Sequence, residues 1–245
     1  MSDQVLNANS VKKSKTSVGN TKTLSERVFN ELKNAIISGD LEQGSKITED
    51  GLSQQYGISR GPLREAIRRL EAIRLLVRVP RAGMRVVTLT ADIMEEIYTV
   101  REALEGMSAR LAAQRMTPQD IDSLTALLDK HQNEIDQSEG KEYVQEEGNL
   151  DFHYRIAKAS QNQWLIELLS SELYQLLRMG RLKSGQAPSR PDKAIQEHRQ
   201  IVSAIEARDA ELAEILMRRH ISGSWKVVKK LLDEETSTES TLHQS

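Results

Sequence analysis

Ile58-Ser59-Arg60-Gly61-Pro62-Leu63-Arg64-Glu65-Ala66-Ile67-Arg68-Arg69-Leu70-Glu71 is the stretch that decides the fold of the first third of the chain. Ser59 is a favourable helix N-cap, and Pro62 falls in the first turn, where a missing N–H costs little. At 3.6 residues per turn, apolar side chains gather on one face of this helix and arginines on another. The arginines of that face are Arg60, Arg64 and Arg68. Such a face can be merely solvated, or it can bind a polyanion.

The flanking sequence predicts a winged helix-turn-helix around this stretch. Thr23-Leu24-Ser25-Glu26 is a capping box that begins a first helix, and a short second helix fits residues 48–56. Gly57 can adopt the left-handed conformation that ends a helix and makes a tight turn. Within residues 75–87, two short β-type runs are joined through Pro80-Arg81-Ala82-Gly83, which predicts a hairpin with a basic tip.

Charge is segregated along the chain of 245 residues, whose net charge is −2. Residues 57–88 contain eight arginines and two glutamates, a net of +6. Residues 91–245 carry nineteen basic and twenty-seven acidic side chains, a net of −8. A basic N-terminal third with an acidic remainder indicates two parts with different partners, of which the first binds a polyanion.

Beyond Thr90 the sequence predicts amphipathic helices and no strands. Thr117-Pro118 is an N-cap followed by Pro at N1, and further helices fit about 142–160, 163–182, 192–207 and 210–234. The predicted fold is therefore mainly α, an N-terminal winged helix-turn-helix followed by an all-α antiparallel helical bundle. We expect four parts: a disordered tail at 1–22, a DNA-binding domain at 23–88, an effector-binding and dimerisation domain at 91–234, and a disordered tail at 235–245.

Three of the five histidines fall on apolar helix faces in the predicted bundle, namely His153, His198 and His220. One such histidine is more often a core residue, but three on separate helices favour convergence on one ligand. Asn149 lies four residues before His153, so both can face one metal ion. We predict a divalent-metal site made by Asn149 and the three histidines, for which Zn, Ni and Mn all fit. Core packing remains the alternative.

Residues 24–88 resemble the DNA-binding domain of the GntR family of bacterial transcription regulators. The resemblance rests on Ser59-Arg60-Gly61-Pro62-Leu63-Arg64-Glu65-Ala66-Ile67-Arg68-Arg69-Leu70, with Arg81 and Gly83 in the wing. It implies that Arg60 and Arg64 reach guanine edges in the major groove and that the wing lies near the minor groove. The implied DNA-binding residues are Ser59, Arg60, Arg64, Arg68, Arg81 and Gly83. Asp50 departs from many members, which carry arginine or another residue there.

Residues 92–232 resemble FCD, the helical effector-binding domain of the FadR-type branch of this family. The motifs are Arg101-Glu102-Ala103-Leu104-Glu105, Asn149-Leu150-Asp151-Phe152-His153 and Ala159-Ser160-Gln161-Asn162. In metal-binding members an Asp-x-x-x-His pair and two later histidines hold the ion, and Asn149 stands here at the Asp position. The resemblance also makes Arg101 a candidate partner for a small carboxylate effector, with Arg178 as a further candidate. A salt bridge from Arg101 to Glu105 or another surface acid is the competing interpretation.

The leading hypothesis is a homodimeric, ligand-responsive transcription regulator, a repressor and not an enzyme, that binds a double-stranded DNA operator. Cysteine is absent, and no apolar run suits a membrane span or a signal peptide, so we expect a cytoplasmic protein without membrane contact. The alternative is a metal-dependent hydrolase or lyase fused to a DNA-binding domain, although no general base stands at a motif spacing. A third option, an interaction module that has lost DNA binding, would require loss of the arginine face.

Overall fold

The computed structural model describes residues 23–141, 151–170, 172–185, 187 and 190–242. Its N-terminal part contains the three helices and the hairpin that the sequence predicted for a winged helix-turn-helix, and a third strand extends the hairpin to an antiparallel sheet. The elements are α1 Leu24–Ser38, β1 Lys46–Ile47, α2 Glu49–Tyr56, α3 Arg60–Ala72, β2 Leu76–Val79 and β3 Gly83–Val86. The strand order is β1-β3-β2, and the two-residue β1 was not predicted because it is too short to show alternation.

Local signals position the elements of this domain. The Thr23 hydroxyl accepts a hydrogen bond from the Glu26 backbone N–H at 3.1 Å, so α1 begins where the capping box placed it. Gly57 has φ of +61° at the end of α2, a conformation that favours glycine, and it leads directly into α3. In the hairpin, Val79 pairs with Gly83 across the turn and Leu76 with Val86. The wing therefore projects from the sheet at residues 80–82.

The second part of the chain is an all-helical bundle, as predicted. Its described helices are α4 Ala91–Arg115, α5 Pro118–Gln137, α6 Phe152–Ala159, α7 Gln163–Ser170, α8 Glu172–Gly185, α9 Arg190–Glu206 and α10 Ala210–Leu242. Thr117 caps α5 in a full capping box with Asp120, and Pro118 stands at the start of this helix. Residue 171 and residues 142–150 lie outside the described chain, so the predicted helix at 142–160 is described only from Phe152.

Helices α4 and α10 form the longest packed pair of the bundle. They approach closely at Gly106, where an added Cβ atom would lie 2.8 Å from Arg218 Cγ. Ala109, Ala112 and Ala213 are fully buried, which lets the two backbones come together.

Periodicity predicts one apolar stripe on α4, but of its six residues only Ile97 is buried. The six are Ile93, Ile97, Val100, Leu104, Met107 and Leu111. Of the predicted stripe, Ile93 is 40% exposed, Val100 49% and Met107 39%. The buried face instead carries a charged pair and small residues, which a hydrophobicity pattern does not mark. Those buried residues are Met94, Ile97, Tyr98, Arg101, Glu105, Gly106, Ser108, Ala109, Ala112 and Ala113.

The ends of the chain differ from the expectation in one respect. Helix α10 continues to Leu242, into the segment 235–245 that composition assigned to a tail. The expected N-terminal tail, residues 1–22, lies outside the described residues. No helix in the described ranges is both long and apolar enough to cross a membrane.

Candidate functional site

Helix α3 separates a buried face from an exposed arginine face. Leu63, Ala66, Ile67 and Leu70 are buried against the domain core. Arg60, Arg64 and Arg68 are exposed on the other side. Ser59 occupies the N-cap position, although in the described structure its side chain does not cap the helix. Its exposed hydroxyl is therefore available for an external acceptor or donor.

Two of these arginines form ion pairs with the first turn of α2. An Arg60 terminal nitrogen, Nη2, lies 2.8 Å from Asp50 Oδ1. Arg64 Nε lies 2.8 Å from Glu49 Oε2. All four side chains stay at least 40% exposed, so solvent screens both pairs and each contributes little to stability. The sequence analysis singled out Asp50 as a departure but did not predict either pair.

The wing presents a basic residue in an unusual backbone conformation. Arg81 has φ of +64° and Gly83 has φ of +86°, both in the left-handed region. Arg81 is exposed at the tip. Arg85 is turned back into the domain, where its Nη1 donates to the Gly44 carbonyl at 2.6 Å. The turn therefore directs Arg81 outward, whereas Arg85 stabilises the wing through its hydrogen bond to Gly44.

The three predicted histidines come together in the bundle. His153 on α6, His198 on α9 and His220 on α10 are each at most 4% exposed. One ligating nitrogen from each lies within 4.8 Å of those of the other two. The Nε2 atoms of His198 and His220 face each other at 3.2 Å, and two nitrogen ligands of one tetrahedral zinc ion lie about 3.3 Å apart. Phe152 stacks on His198 with ring centroids 4.0 Å apart, which fixes that imidazole.

Two glutamates orient two of the histidines. Glu105 on α4 is hydrogen-bonded to His153 Nδ1, and Glu197 on α9 lies 2.7 Å from His220 Nδ1. A neutral imidazole that donates Nδ1–H to a carboxylate keeps its lone pair on Nε2, the arrangement common for metal-ligating histidines. The sequence analysis missed both glutamates as parts of this site. Their signals were spacing alone, since Glu105 follows Arg101 by four residues and Glu197 precedes His198.

Two buried guanidinium groups flank the histidines. Arg101 is fully buried, its Nε pairs with Glu105, and its Nη2 lies 3.4 Å from His153 Nε2. Its Nη1 has no hydrogen-bond partner among the described residues. Arg190 is 4% exposed; it donates to Glu197 at 2.7 Å and also to the hydroxyl of Ser224. The sequence analysis did not single out Arg190 or Ser224.

The competing interpretation of Arg101 was partly right, because this arginine does pair with Glu105. The pair is buried, however, and not on the surface as that interpretation required. A buried donor without a partner costs about 1–3 kcal/mol. The orphan Nη1 therefore favours an acceptor that binds at this point.

The remaining predicted site residues have different positions. Asn149 lies outside the described residues, so its role as a ligand stays a prediction. Asp151 is the N-cap of α6, where its Oδ1 accepts from the His153 and Tyr154 backbone N–H groups. Arg178 is half-buried on α8. His131 was assigned no role because its sequence surroundings are polar, yet it is 2% exposed on α5.

The surroundings keep two of the three imidazoles, those of His198 and His220, uncharged near neutral pH. Burial, followed by the neighbouring His220 and His153, holds the pKa of His198 well below its ordinary value. Burial also lowers the pKa of His220 to about 4, although its hydrogen bond to Glu197 acts in the opposite direction. Burial alone would raise the pKa of Glu197, but hydrogen bonds and charges from His220 and Arg190 lower it below its usual value. Near neutral pH these two imidazoles are therefore uncharged, and each has one nitrogen lone pair that can bind a cation.

Together these features define a class: a winged helix-turn-helix DNA-binding protein with a helical bundle that encloses a histidine cluster. Comparison with known families is consistent with both halves. Residues 24–86 match the family of bacterial regulatory proteins called gntR, and residues 96–223 match the FCD domain. The chain belongs to the GntR family of transcription regulators and carries an FCD domain.

Individual relatives agree with this assignment. The probable D-xylose utilization operon transcriptional repressor of Paenarthrobacter nicotinovorans is 31% identical over 196 residues, 76% of this chain and 80% of the relative. The HTH-type transcriptional regulator McbR of Escherichia coli (strain K12) is 29% identical over 206 residues, 80% of this chain and 90% of McbR. The solved structure of E. coli McbR/YncC superposes with a TM-score of 0.67 at 24% identity, covering 86% and 99% of the two chains. That superposition supports the fold.

Proposed function

We propose that this DNA-binding regulator is a homodimeric repressor whose operator affinity is controlled by a small organic acid bound in the FCD domain through a divalent metal ion. The observation that carries the proposal is the convergence of three buried imidazoles beside the buried guanidinium of Arg101. Repression is supported by the 31% identical relative, the probable D-xylose utilization operon transcriptional repressor. On this proposal, DNA contact comes from Ser59, Arg60, Arg64, Arg68, Arg81 and Gly83.

The residues present fit a metal ion. His153, His198 and His220 would hold it, with Asn149 as a proposed fourth ligand, and their nitrogen donors suit zinc, nickel or manganese. When bound, the ion supplies a Lewis-acidic positive charge to which a carboxylate can coordinate. Glu105 and Glu197 keep the histidine rings oriented, which such sites need for tight binding.

An organic anion fits the rest of the site. Arg101 Nη1 is buried and lacks an acceptor among the described residues, and guanidinium groups bind carboxylates through paired hydrogen bonds. In the described cluster, Arg101 and Arg190 are balanced by Glu105 and Glu197, so a divalent cation would leave uncompensated positive charge in a dry interior. A carboxylate effector offsets that charge. Arg178 stays a proposed further contact on α8.

Effector binding is tested by thermal shift. Purified protein, in a chelated and in a metal-loaded form, is screened against small organic acids. We expect one acid to stabilise the protein only in the presence of metal and then to release bound operator DNA. Recovery of the acid unchanged after incubation excludes the hydrolase or lyase alternative for that compound. Equal stabilisation of both forms by the acid would contradict binding through metal.

The proposed dimer uses the apolar stripe left exposed on α4. Ile93, Val100 and Met107 recur at seven-residue steps, so they lie on one face of the helix. Helix α10, which packs along α4, adds Leu212 at 42% exposure and Ile215 at 39%. A two-fold axis through this surface would bury five exposed apolar side chains from each copy and present two winged domains to a palindromic site.

We expect a Val100→Glu, Met107→Glu double variant to be monomeric, because it would place four carboxylates in a symmetric apolar interface. Operator affinity should fall at least about a hundredfold, since two linked half-sites bind far more tightly than one. Sedimentation and fluorescence anisotropy measure the two effects. Trp164→Glu, which alters an apolar side chain 76% exposed on α7, is the control. If the Trp164 variant were monomeric and the double variant dimeric, the dimer interface would have to be assigned to α7.

A further inference from the structure

The first turn of α2 places two carboxylates against the proposed DNA-reading arginines. Glu49 and Asp50 follow the N-cap Thr48, at the helix end whose partial positive charge attracts anions. In many helix-turn-helix proteins a helix N-terminus donates to a DNA phosphate. Here the two carboxylates oppose a phosphate at that point, so their effect on DNA binding is expected to be unfavourable.

The two ion pairs engage different parts of the guanidinium groups. Asp50 binds Nη2 of Arg60, so Arg60 must leave Asp50 before both of its terminal nitrogens can bind a guanine. Glu49 engages Nε of Arg64, so it does not occupy the terminal Nη1–Nη2 edge that can bind guanine O6 and N7. Arg64 can therefore read a guanine without leaving Glu49. To bind a phosphate elsewhere on the backbone, the same side chain must turn away from Glu49 and leave that carboxylate beside the DNA.

We infer that Glu49 and Asp50 raise the discrimination of this regulator between its operator and other DNA by restraining Arg64 and Arg60 and repelling misplaced phosphates. The inference rests on the assignment of these arginines to the DNA face. Both acids weaken binding to every duplex because their negative charges repel phosphates. On the operator, however, the retained Glu49–Arg64 pair also holds the Arg64 guanidinium in the orientation that binds guanine. Their removal therefore strengthens binding to random DNA more than binding to the operator.

The test compares an Asp50→Asn, Glu49→Gln double variant with the wild type, both as full-length protein. The probes are a duplex selected by the wild type from a random pool and a duplex of the same composition in shuffled order. At about 0.1 M salt we expect affinity for the shuffled duplex to rise about tenfold, because two negative charges per winged domain are removed from the proposed DNA face. Affinity for the selected duplex should rise less, so the ratio of the two affinities falls at least about threefold.

A matched control removes the same two charges elsewhere in the domain. Asp40→Asn with Glu42→Gln changes exposed acids in the loop after α1, outside the two ion pairs with Arg60 and Arg64. An unchanged ratio in the Asp50, Glu49 variant, or the same fall in the control, overturns the inference. If replacing Arg60 and Arg64 leaves DNA binding unaltered, the DNA face itself is misassigned and the inference falls with it. Far-UV circular dichroism of both variants confirms that the effects come from folded protein.

Discussion

An Arg60→Ala, Arg64→Ala double variant is expected to lose operator binding by about a thousandfold or more while its fold is kept. Both side chains are exposed and their ion pairs with Asp50 and Glu49 are solvent-screened, so truncation costs the domain little stability. A bidentate arginine–guanine contact is worth about 1–3 kcal/mol of discrimination, and a dimer would lose four such contacts. Four contacts at the lower limit already correspond to about a thousandfold in affinity.

The measurement is fluorescence anisotropy with a duplex selected by the wild type, at one stated salt concentration. Arg27→Ala with Arg199→Ala is the matched control, because each of these exposed arginines also pairs with a carboxylate, Glu31 and Asp129 respectively. The control removes the same charge from α1 and α9, away from the arginine face of α3. If the two double variants bound the operator equally well, general charge and not base reading would account for affinity.

The second large effect concerns the histidine cluster. Metal-free protein is expected to be stabilised by added zinc, nickel or manganese, by about 2.7 kcal/mol when free metal reaches one hundred times its dissociation constant. For a chain of this size that corresponds to a rise in Tm of about 5–10 °C. His198→Leu should abolish the rise, because it removes a nitrogen that lies 3.2 Å from His220 Nε2 and leaves too few ligands.

His131→Leu is the appropriate comparison. It also replaces a buried histidine by an apolar residue of similar size, but His131 is not one of the three residues whose nitrogens converge. We expect this variant to keep the metal-dependent rise in Tm, and direct metal analysis after dialysis should give bound ion for it but not for His198→Leu. A rise of equal size in both variants would reduce the three histidines to core packing.

The winged domain could be predicted almost completely because its signals are local. Thr23 caps α1, Gly57 takes the left-handed turn, and the arginines of α3 recur at four-residue steps on an otherwise amphipathic helix. Each of these features depends on neighbours within a few residues. Strand β1 lacked such a signal, since a two-residue strand is defined only by its partner β3.

The bundle was less predictable because its contacts are distant in sequence. Histidine positions on apolar faces indicated convergence, and the structure brings the three together. Neither Glu197 nor Arg190 could be recognised, since a charged residue on a helix usually faces solvent, and the contacts of these two depend on α10, which is distant in sequence. Periodicity also failed on α4, where Arg101 and Glu105 satisfy one another in the interior and an apolar row is left outside.

Helix α4 connects the two halves of the molecule mechanically. It begins at Ala91, two residues after Leu89, whose backbone N–H donates to Gln43 of the winged domain at 2.9 Å. Arg101 lies ten residues further along, about 15 Å on a rigid rod. If the proposed effector displaces this guanidinium by about an ångström, α4 would tilt or twist where it joins the winged domain. Val100 and Met107 lie on another face of the same helix, so the same movement would change both the proposed subunit interface and the spacing of the two winged domains on DNA.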